Sequence, residues 1–140
     1  MSAIFNIFPV GVIRKKDDSV FIVIYRKYRS ALMGLGQFSH IQVLYWFHKN
    51  DTPEGRSMLQ VHPCNLKVNP LTGVFATHSP LRPNLIGLSL CRILSIHGSV
   101  IRIDDIDAFS GSPVIDLKCY FPLSGSENGV RVPSWERRKK

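Results

Sequence analysis

Apolar positions along this chain come in short β-branched runs separated by polar turns. Val10–Ile13 and Val20–Tyr25 flank the six polar residues Arg14 to Ser19, and a connector of that length between two such runs predicts a β-hairpin. From Arg26 to Gly36 the pattern changes. Ala31, Leu32 and Leu35 recur at helical spacing, Gly34 and Gly36 stop them, and the segment predicts one short helix of about two turns. Ile41–Phe47 is rich in β-branched and aromatic residues and predicts a central strand that ends at the polar His48-Lys49-Asn50-Asp51.

Met58–His62 alternates apolar and polar and predicts a further strand, Pro63–Thr72 a loop, and Gly73–Ala76 a return to β structure. Leu88–Ile96 and Ser99–Ile103 form a second hairpin through His97-Gly98-Ser99. Val114–Tyr120 is the last strand, with Asp116 and Lys118 on one side and Ile115 and Leu117 on the other. Seven or eight short strands, one small helix and regularly spaced turns predict an all-β fold, a small single-domain barrel or sandwich over residues 1–122. A Ser/Gly-rich and basic tail, 123–140, follows it, in which Val132-Pro133-Ser134-Trp135 is placed to dock back. Neither a βαβ alternation nor a GxGxxG motif is present, so nothing supports a Rossmann site.

Composition narrows the class without naming a function. At 140 residues, 44% hydrophobic and 20% charged, the chain can bury a real core. No apolar run approaches the roughly 20 residues of a membrane span. The positive charges follow the N-terminal apolar stretch, the reverse of a secretory signal, so the expected location is the cytoplasm and no membrane partner is expected. Cys64, Cys91 and Cys119 are odd in number and far apart, which argues against a disulfide framework or a zinc module; Cys91 reads as a small buried hydrophobe and no metal is expected. Net charge is +8, with +4 of it between Arg131 and Lys140 (five basic residues, one acid). Such a balance suits a nucleic-acid partner and equally suits a merely soluble surface.

Candidate chemistry concentrates between Gly73 and Pro122. Prolines on both sides of Leu81-Arg82 stiffen the loop that presents Arg82. Arg82-Pro83-Asn84 can hold a phosphate or carboxylate, or Arg82 can pair with Asp105 or Asp107 and brace the loop. Asp104-Asp105-Ile106-Asp107 offers acceptors for ligand hydroxyls or amines, or is a solvated acidic turn. If Ile103 and Ile106 both point inward, strand alternation is broken there, as at a strand end or bulge. The five histidines are scattered, with no HExxH and no Ser-His-Asp order.

Taken in order, Phe38-Ser39-His40, Trp46-Phe47-His48, Gly73-Val74-Phe75-Ala76-Thr77, Ser79-Pro80-x-Arg82-Pro83-Asn84-x-Ile86-Gly87-Leu88-Ser89 and Asp107-x-x-x-Gly111-x-Pro113-Val114-x-Asp116-x-Lys118-x-Tyr120 make the chain resemble the TrmO family of tRNA methyltransferases (YaeB-like proteins), in a compact form without the C-terminal extension. The resemblance covers nearly everything up to Pro122. It implies a β-barrel that binds S-adenosyl-L-methionine, a homodimer with the active site near the subunit interface, and N-methylation of threonylcarbamoyladenosine next to the anticodon of tRNA. It implies cofactor contacts at His48, Lys49, His78, Leu88, Asp104, Asp105, Ile106 and Asp107. For that reaction Asp107 is the candidate proton acceptor, or else only positions ribose or amine groups, and Arg82, Pro83 and Asn84, which carry the signature, are the candidates for shaping the substrate side.

His78, Leu85, Ser110 and Cys119 stand where the family commonly has Arg, Pro, Asp and Pro. A segment that bacterial members carry between the first two strands is missing. These departures keep two other functions in view: a non-catalytic member that binds S-adenosyl-L-methionine or RNA, and a methyltransferase for another adenine-containing substrate.

Overall fold

The structure, a computed structural model, describes residues 2–122 and 128–136. The Ser/Gly-rich residues 123–127 and the basic end 137–140 lie outside the described residues. The chain forms two compact units: residues 1–45 with 88–140, and residues 46–87.

The first unit holds a closed six-stranded barrel built from β1 (Gly11–Lys16), β2 (Ser19–Ile24), β3 (His40–Trp46), β6 (Ile86–His97), β7 (Val100–Ile103) and β8 (Pro113–Cys119), in the spatial order β1-β2-β7-β6-β3-β8. Alternation decides what fills it. Ile13, Ile22, Ile41, Val43, Ile101 and Val114 are completely buried, while their neighbours in sequence face outward. Closure leaves this barrel no free edge to pair with other chains.

Both predicted hairpins are present, β1 against β2 from Gly11↔Ile24 to Lys16↔Ser19, and β6 against β7 through Gly98-Ser99. The last strand carries the expected split between exposed Asp116 and Lys118 and half-buried Ile115 and Leu117. A bulge adds one reversal. Leu44 pairs with Asp116 and Tyr45 with Val114, so Ile115 is the extra residue, and Val114 turns inward although its parity is that of Asp116.

The segment expected to be a short helix, Arg26 to Gly36, is instead two 3-10 pieces, Arg26–Leu32 and Leu35–Gln37, with Gly34 at φ +87° between them. No side chain caps the first piece and none of its residues is buried, so nothing rewards α winding. The helically spaced Ala31, Leu32 and Leu35 line an open apolar groove of about 380 Å³ with Phe38 and Trp135. Trp135 docks back on Phe38 edge to face at 6.2 Å, and Ser39 donates its amide to the Arg131 carbonyl at 2.9 Å.

The second unit is irregular. The strand expected at Met58–His62 shrinks to β4 (Gln60–Val61), paired with β5 (Thr72–Gly73), and the chain then winds into a 3-10 turn at Val74–Ala76 instead of continuing as β. A single α-turn that the pattern did not predict, α1 (Pro53–Ser57), starts at Thr52, whose Oγ accepts the Gly55 amide at 3.0 Å. Thr-Pro-Glu is a legible start signal, cap, N1 proline and first-turn acid, but the helix is too short for any periodicity to announce it. Among the described residues no helix is long and apolar enough to cross a membrane.

Candidate functional site

β7 ends at Ile103, and the chain then runs through Asp104 to Ser112 before entering β8. Ile103 and Ile106 are both buried, and Asp104, Asp105 and Asp107 are all exposed. The break in alternation is therefore a strand end. It lets the backbone keep an isoleucine inside while three carboxylates face solvent.

This loop is clamped at several points. Asp104 exchanges bonds with Arg92, its amide to the Arg92 carbonyl at 3.1 Å and its Oδ1 from the Arg92 amide at 2.9 Å. Asp105 accepts the Ile106 amide on Oδ1 at 2.8 Å, and its carbonyl takes the Cys91 thiol at 3.4 Å. Lys15 points to the barrel side of β1. Its Nζ donates to the Ile106 carbonyl at 2.7 Å, and its amide donates to the Ser110 hydroxyl at 3.0 Å. The Phe109–Ser112 turn closes with a 3.0 Å bond and needs Gly111 at φ +94°, a value suited to the third position of a type II turn. Its Gly111 amide reaches the Ile13 carbonyl at 2.7 Å. Lys15 is thus a fixed support of the acidic loop, and only the barrel register reveals it.

Tyr45 and Ser89 complete this end of the barrel, and neither was singled out by the sequence. Tyr45 is buried on the inner face of β3 and bonded to Ser89. Burial pushes its phenol above the ordinary 10.0; the Ser89 bond opposes this and the charges of Asp107 and Cys91 add to it. Cys91, one of the described free cysteines, is buried as expected. Desolvation first, then the carboxylates of Asp104, Asp105 and Asp107, push its thiol up to about 12. It therefore stays a neutral thiol and packs as a hydrophobe. The signal for Tyr45 was available: it is the single polar-tipped residue on the inner parity of a strand that otherwise points Ile41 and Val43 inward.

Leu88 stands on the outer side of β6, 59% exposed, in one row with Leu90 and Leu94. The barrel unit thus carries Leu88, Asp104, Asp105, Ile106 and Asp107. His48, Lys49, His78, Arg82, Pro83 and Asn84 belong to the second unit.

There His48 and Lys49 open a 3-10 turn, His48–Asn50, and His78 is exposed. Nested side-chain bonds shape the 77–82 loop: Thr77 Oγ accepts the Ser79 amide, and Ser79 Oγ accepts the Leu81 amide, both at 3.2 Å. Arg82 folds back on it, its Nη1 donating to the Thr77 carbonyl at 3.2 Å and to the Ser79 carbonyl at 2.9 Å. Arg82 braces its own loop through two carbonyls. Arg56, absent from the expected residues, gathers the 46–51 and 83–84 stretches: it stacks over Trp46, pairs with Asp51 at 3.8 Å, and donates to the Pro83 carbonyl at 3.0 Å and to Asn84 Oδ1 at 3.4 Å. Trp46 Nε1 donates to Asp51 at 3.0 Å. Leu85 is fully buried and its carbonyl accepts the Phe47 amide.

Among the described residues no group of three or more His, Cys, Asp or Glu could hold a metal ion. The barrel end instead offers oxygen acceptors, Asp104, Asp105 and Asp107, beside the hydroxyls of Tyr45 and Ser89. That donor set fits an amine and the hydroxyls of a ribose, which are groups of S-adenosyl-L-methionine.

Comparison with known proteins points the same way. A probable S-adenosyl-L-methionine-binding protein of Pyrococcus horikoshii is 48% identical over 83% of this chain and 82% of its own. The human tRNA (adenine(37)-N6)-methyltransferase is 39% identical over 79% of this chain, which spans 24% of that enzyme. The crystal structure of TrmO from Pseudomonas aeruginosa superposes with a TM-score of 0.66 at 25% identity, covering 92% of this chain and 62% of that one. Residues 8–126 match the family of the tRNA-methyltransferase O N-terminal domain, and the chain belongs to that family.

Proposed function

We propose that this chain is an S-adenosyl-L-methionine-dependent tRNA methyltransferase that acts on the exocyclic nitrogen of adenine 37, with threonylcarbamoyladenosine as the substrate base. The observation that carries this reading is the clamped acidic loop at the barrel end, with Asp107 beside the buried Tyr45–Ser89 pair. Family membership and the names of the relatives support it.

S-adenosyl-L-methionine, when bound, supplies an electrophilic methyl group. Asp104 and Asp105 are the acceptors for its amine and ribose hydroxyls, and the Ile106 segment is held in place by Lys15. Leu88 offers apolar surface; His48, Lys49 and His78 enter the proposal by resemblance, as partners for a carboxylate. Arg82, Pro83 and Asn84 shape the substrate side.

The threonylcarbamoyl group makes the adenine nitrogen urea-like, so its lone pair is delocalised and its proton must leave as the methyl bond forms. Asp107 is the carboxylate that accepts that proton, a role worth about 10²–10⁴ in rate. A homodimer belongs to the same reading, and the exposed Leu88, Leu90 and Leu94 row is surface that a second copy could cover.

The test is single-turnover transfer of radiolabelled methyl to bulk tRNA, with calorimetric titration of the cofactor alongside. The expected result is transfer to tRNA that carries threonylcarbamoyladenosine, none to tRNA lacking it, and loss of 10²-fold or more in Asp107→Asn at saturating cofactor. Transfer that ignores the modification moves the substrate to another adenine. Cofactor binding without any transfer leaves a binding protein.

A further inference from the structure

The outer wall formed by β1, β2 and β7 differs in character from the leucine row on β6. Between Asp18 and Asp51 the chain contains no acidic residue. Within that stretch, β2 turns Val20, Ile22 and Ile24 inward and Phe21 and Val23 outward. The register sets Arg14 of β1 directly opposite Phe21, and Phe21 directly opposite Arg102 of β7. Ile13, Ile22 and Ile101 are fully buried, so Arg14, Phe21 and Arg102 form one outward row, a half-exposed aromatic ring between two exposed guanidinium groups.

The neighbouring outward row is Val12, Val23 and Val100. Beyond it the 3-10 segment presents Arg26, Lys27 and Arg29, all exposed. These three border a shallow depression of about 600 Å³ shared with Ile96 and Gly98, and Arg29 Nη2 lies 3.7 Å from where a side chain on Gly98 would begin. Among the described residues none of Arg14, Arg26, Lys27, Arg29 and Arg102 forms an ion pair with an acid. Asp17 and Asp18 sit at the other end of the face, in the β1–β2 turn.

We propose that this face, from Arg26–Arg29 to the Arg14–Phe21–Arg102 row, is the surface on which the chain docks an RNA backbone, with an unpaired base stacked on Phe21. The inference deepens the tRNA reading above and rests on it. Cations without an acidic partner are available to replace the counterions of phosphates. An aromatic ring between two cations is the pairing that holds single-stranded nucleic acid, with the base on the ring and the phosphates to either side. The acids nearest this face, Asp17 and Asp18 in the turn and the exposed Asp104 two residues beyond Arg102, lie at one end of it, and the Arg26–Arg29 end has none.

The test measures tRNA binding by fluorescence anisotropy between 50 and 200 mM salt, without cofactor, so that it stands apart from methyl transfer. Arg14→Ala/Arg102→Ala is expected to weaken binding at least about tenfold and to lower the slope of log K against log salt by about 1.4–1.8, which is 0.7–0.9 for each lost phosphate contact. The double lysine variant should recover the slope. Phe21→Leu should weaken binding of an unpaired RNA oligonucleotide and leave the slope unchanged. Lys118→Ala, a cation on β8 outside the face, should do neither. Thermal melts establish that each variant is folded.

Affinity and slope unchanged in the double alanine variant, a loss matched by Lys118→Ala, or no tRNA binding by the native chain would each overturn the proposal. So would binding to phosphatidylserine vesicles through the same arginines in place of tRNA. Native RNA binding through this face without methyl transfer leaves the surface standing and removes the enzymatic reading.

Discussion

The two units are stabilised by different means. The barrel unit is made of paired strands whose inward residues are nearly all β-branched and fully buried, so its order comes from hydrophobic burial and from ladders that satisfy the backbone. Residues 46–87 bury few side chains, chiefly Val74 and Leu85, and have two residues of strand on each side of a single small ladder. Their order comes from side chains that bond to backbone: Thr52 at a cap, Thr77 and Ser79 in nested turns, Arg82 and Arg56 as braces. A unit built on burial resists single changes at its surface and fails at its core. A unit built on local polar bonds depends on individual side chains.

The largest test of this difference is at the core. Ile22→Ala removes a fully buried side chain from the barrel, and is expected to lower global stability by about 2–5 kcal/mol in urea titration. Leu85→Ala removes one from the second unit. Hydrogen exchange should then show lost protection within residues 46–87 and retained protection in the strands of the barrel. Equal loss in both units after Leu85→Ala would mean that they unfold together and that the contrast is one of architecture alone.

The same contrast explains what could be read in advance. Period-two alternation is produced by burial on one face, so β1, β2, β3, β6, β7 and β8 were all legible, and so was the strand end beneath Ile103 and Ile106. The bulge at Ile115 was not, because it depends on how β8 registers against β3. In 46–87 the ordering bonds join residues by polar geometry that leaves no period, which is why Pro53–Ser57 was missed and β4 overextended. Within the site, the acidic cluster was visible as a cluster. That Lys15, Tyr45 and Ser89 join it was not, because only barrel closure and register bring β1, β3 and β6 to the 104–107 loop; for Tyr45 the strand pattern showed its inward parity but not its neighbours. Arg56 is the same case in the second unit: nothing in Pro-Glu-Gly-Arg foretells contact with Pro83 and Asn84.

A smaller effect, confined to the barrel, comes from pH. The Cys91 thiol titrates near 9.0 when free and is pushed up to about 12 in the folded chain, so over that interval the unfolded state gives up its proton first. Stability is unaffected by Cys91 below pH 9 and falls as pH rises from 9 towards about 12, at up to about 1.4 kcal/mol per unit. The raised Tyr45 phenol acts in the same direction above pH 10. Cys91→Ala should flatten the descent just above pH 9, where Tyr45 is still mostly protonated in both states. An unchanged slope there would mean that the thiol is not held neutral by its surroundings.

The smallest expected effect falls on the second unit. Arg56 is an exposed side chain, and its ion pair with Asp51 at 3.8 Å is worth well under about 1 kcal/mol. Its bond to the Pro83 carbonyl and its position over Trp46 bring the sum to about 1 kcal/mol. Arg56→Ala should therefore leave the urea midpoint of the barrel almost where it was and speed amide exchange in the stretches that Arg56 joins, 47–52 and 84–86. Arg56→Lys separates charge from shape: an ammonium can keep the attraction to Asp51 but cannot reach the Pro83 carbonyl and Asn84 together as a planar fork does. If the lysine variant exchanges like the native chain, the brace is electrostatic. If it exchanges like the alanine variant, the fork geometry orders the signature loop. Exchange unchanged in both would mean that the nested turns of Thr77 and Ser79, with Arg82, suffice to hold that loop without Arg56.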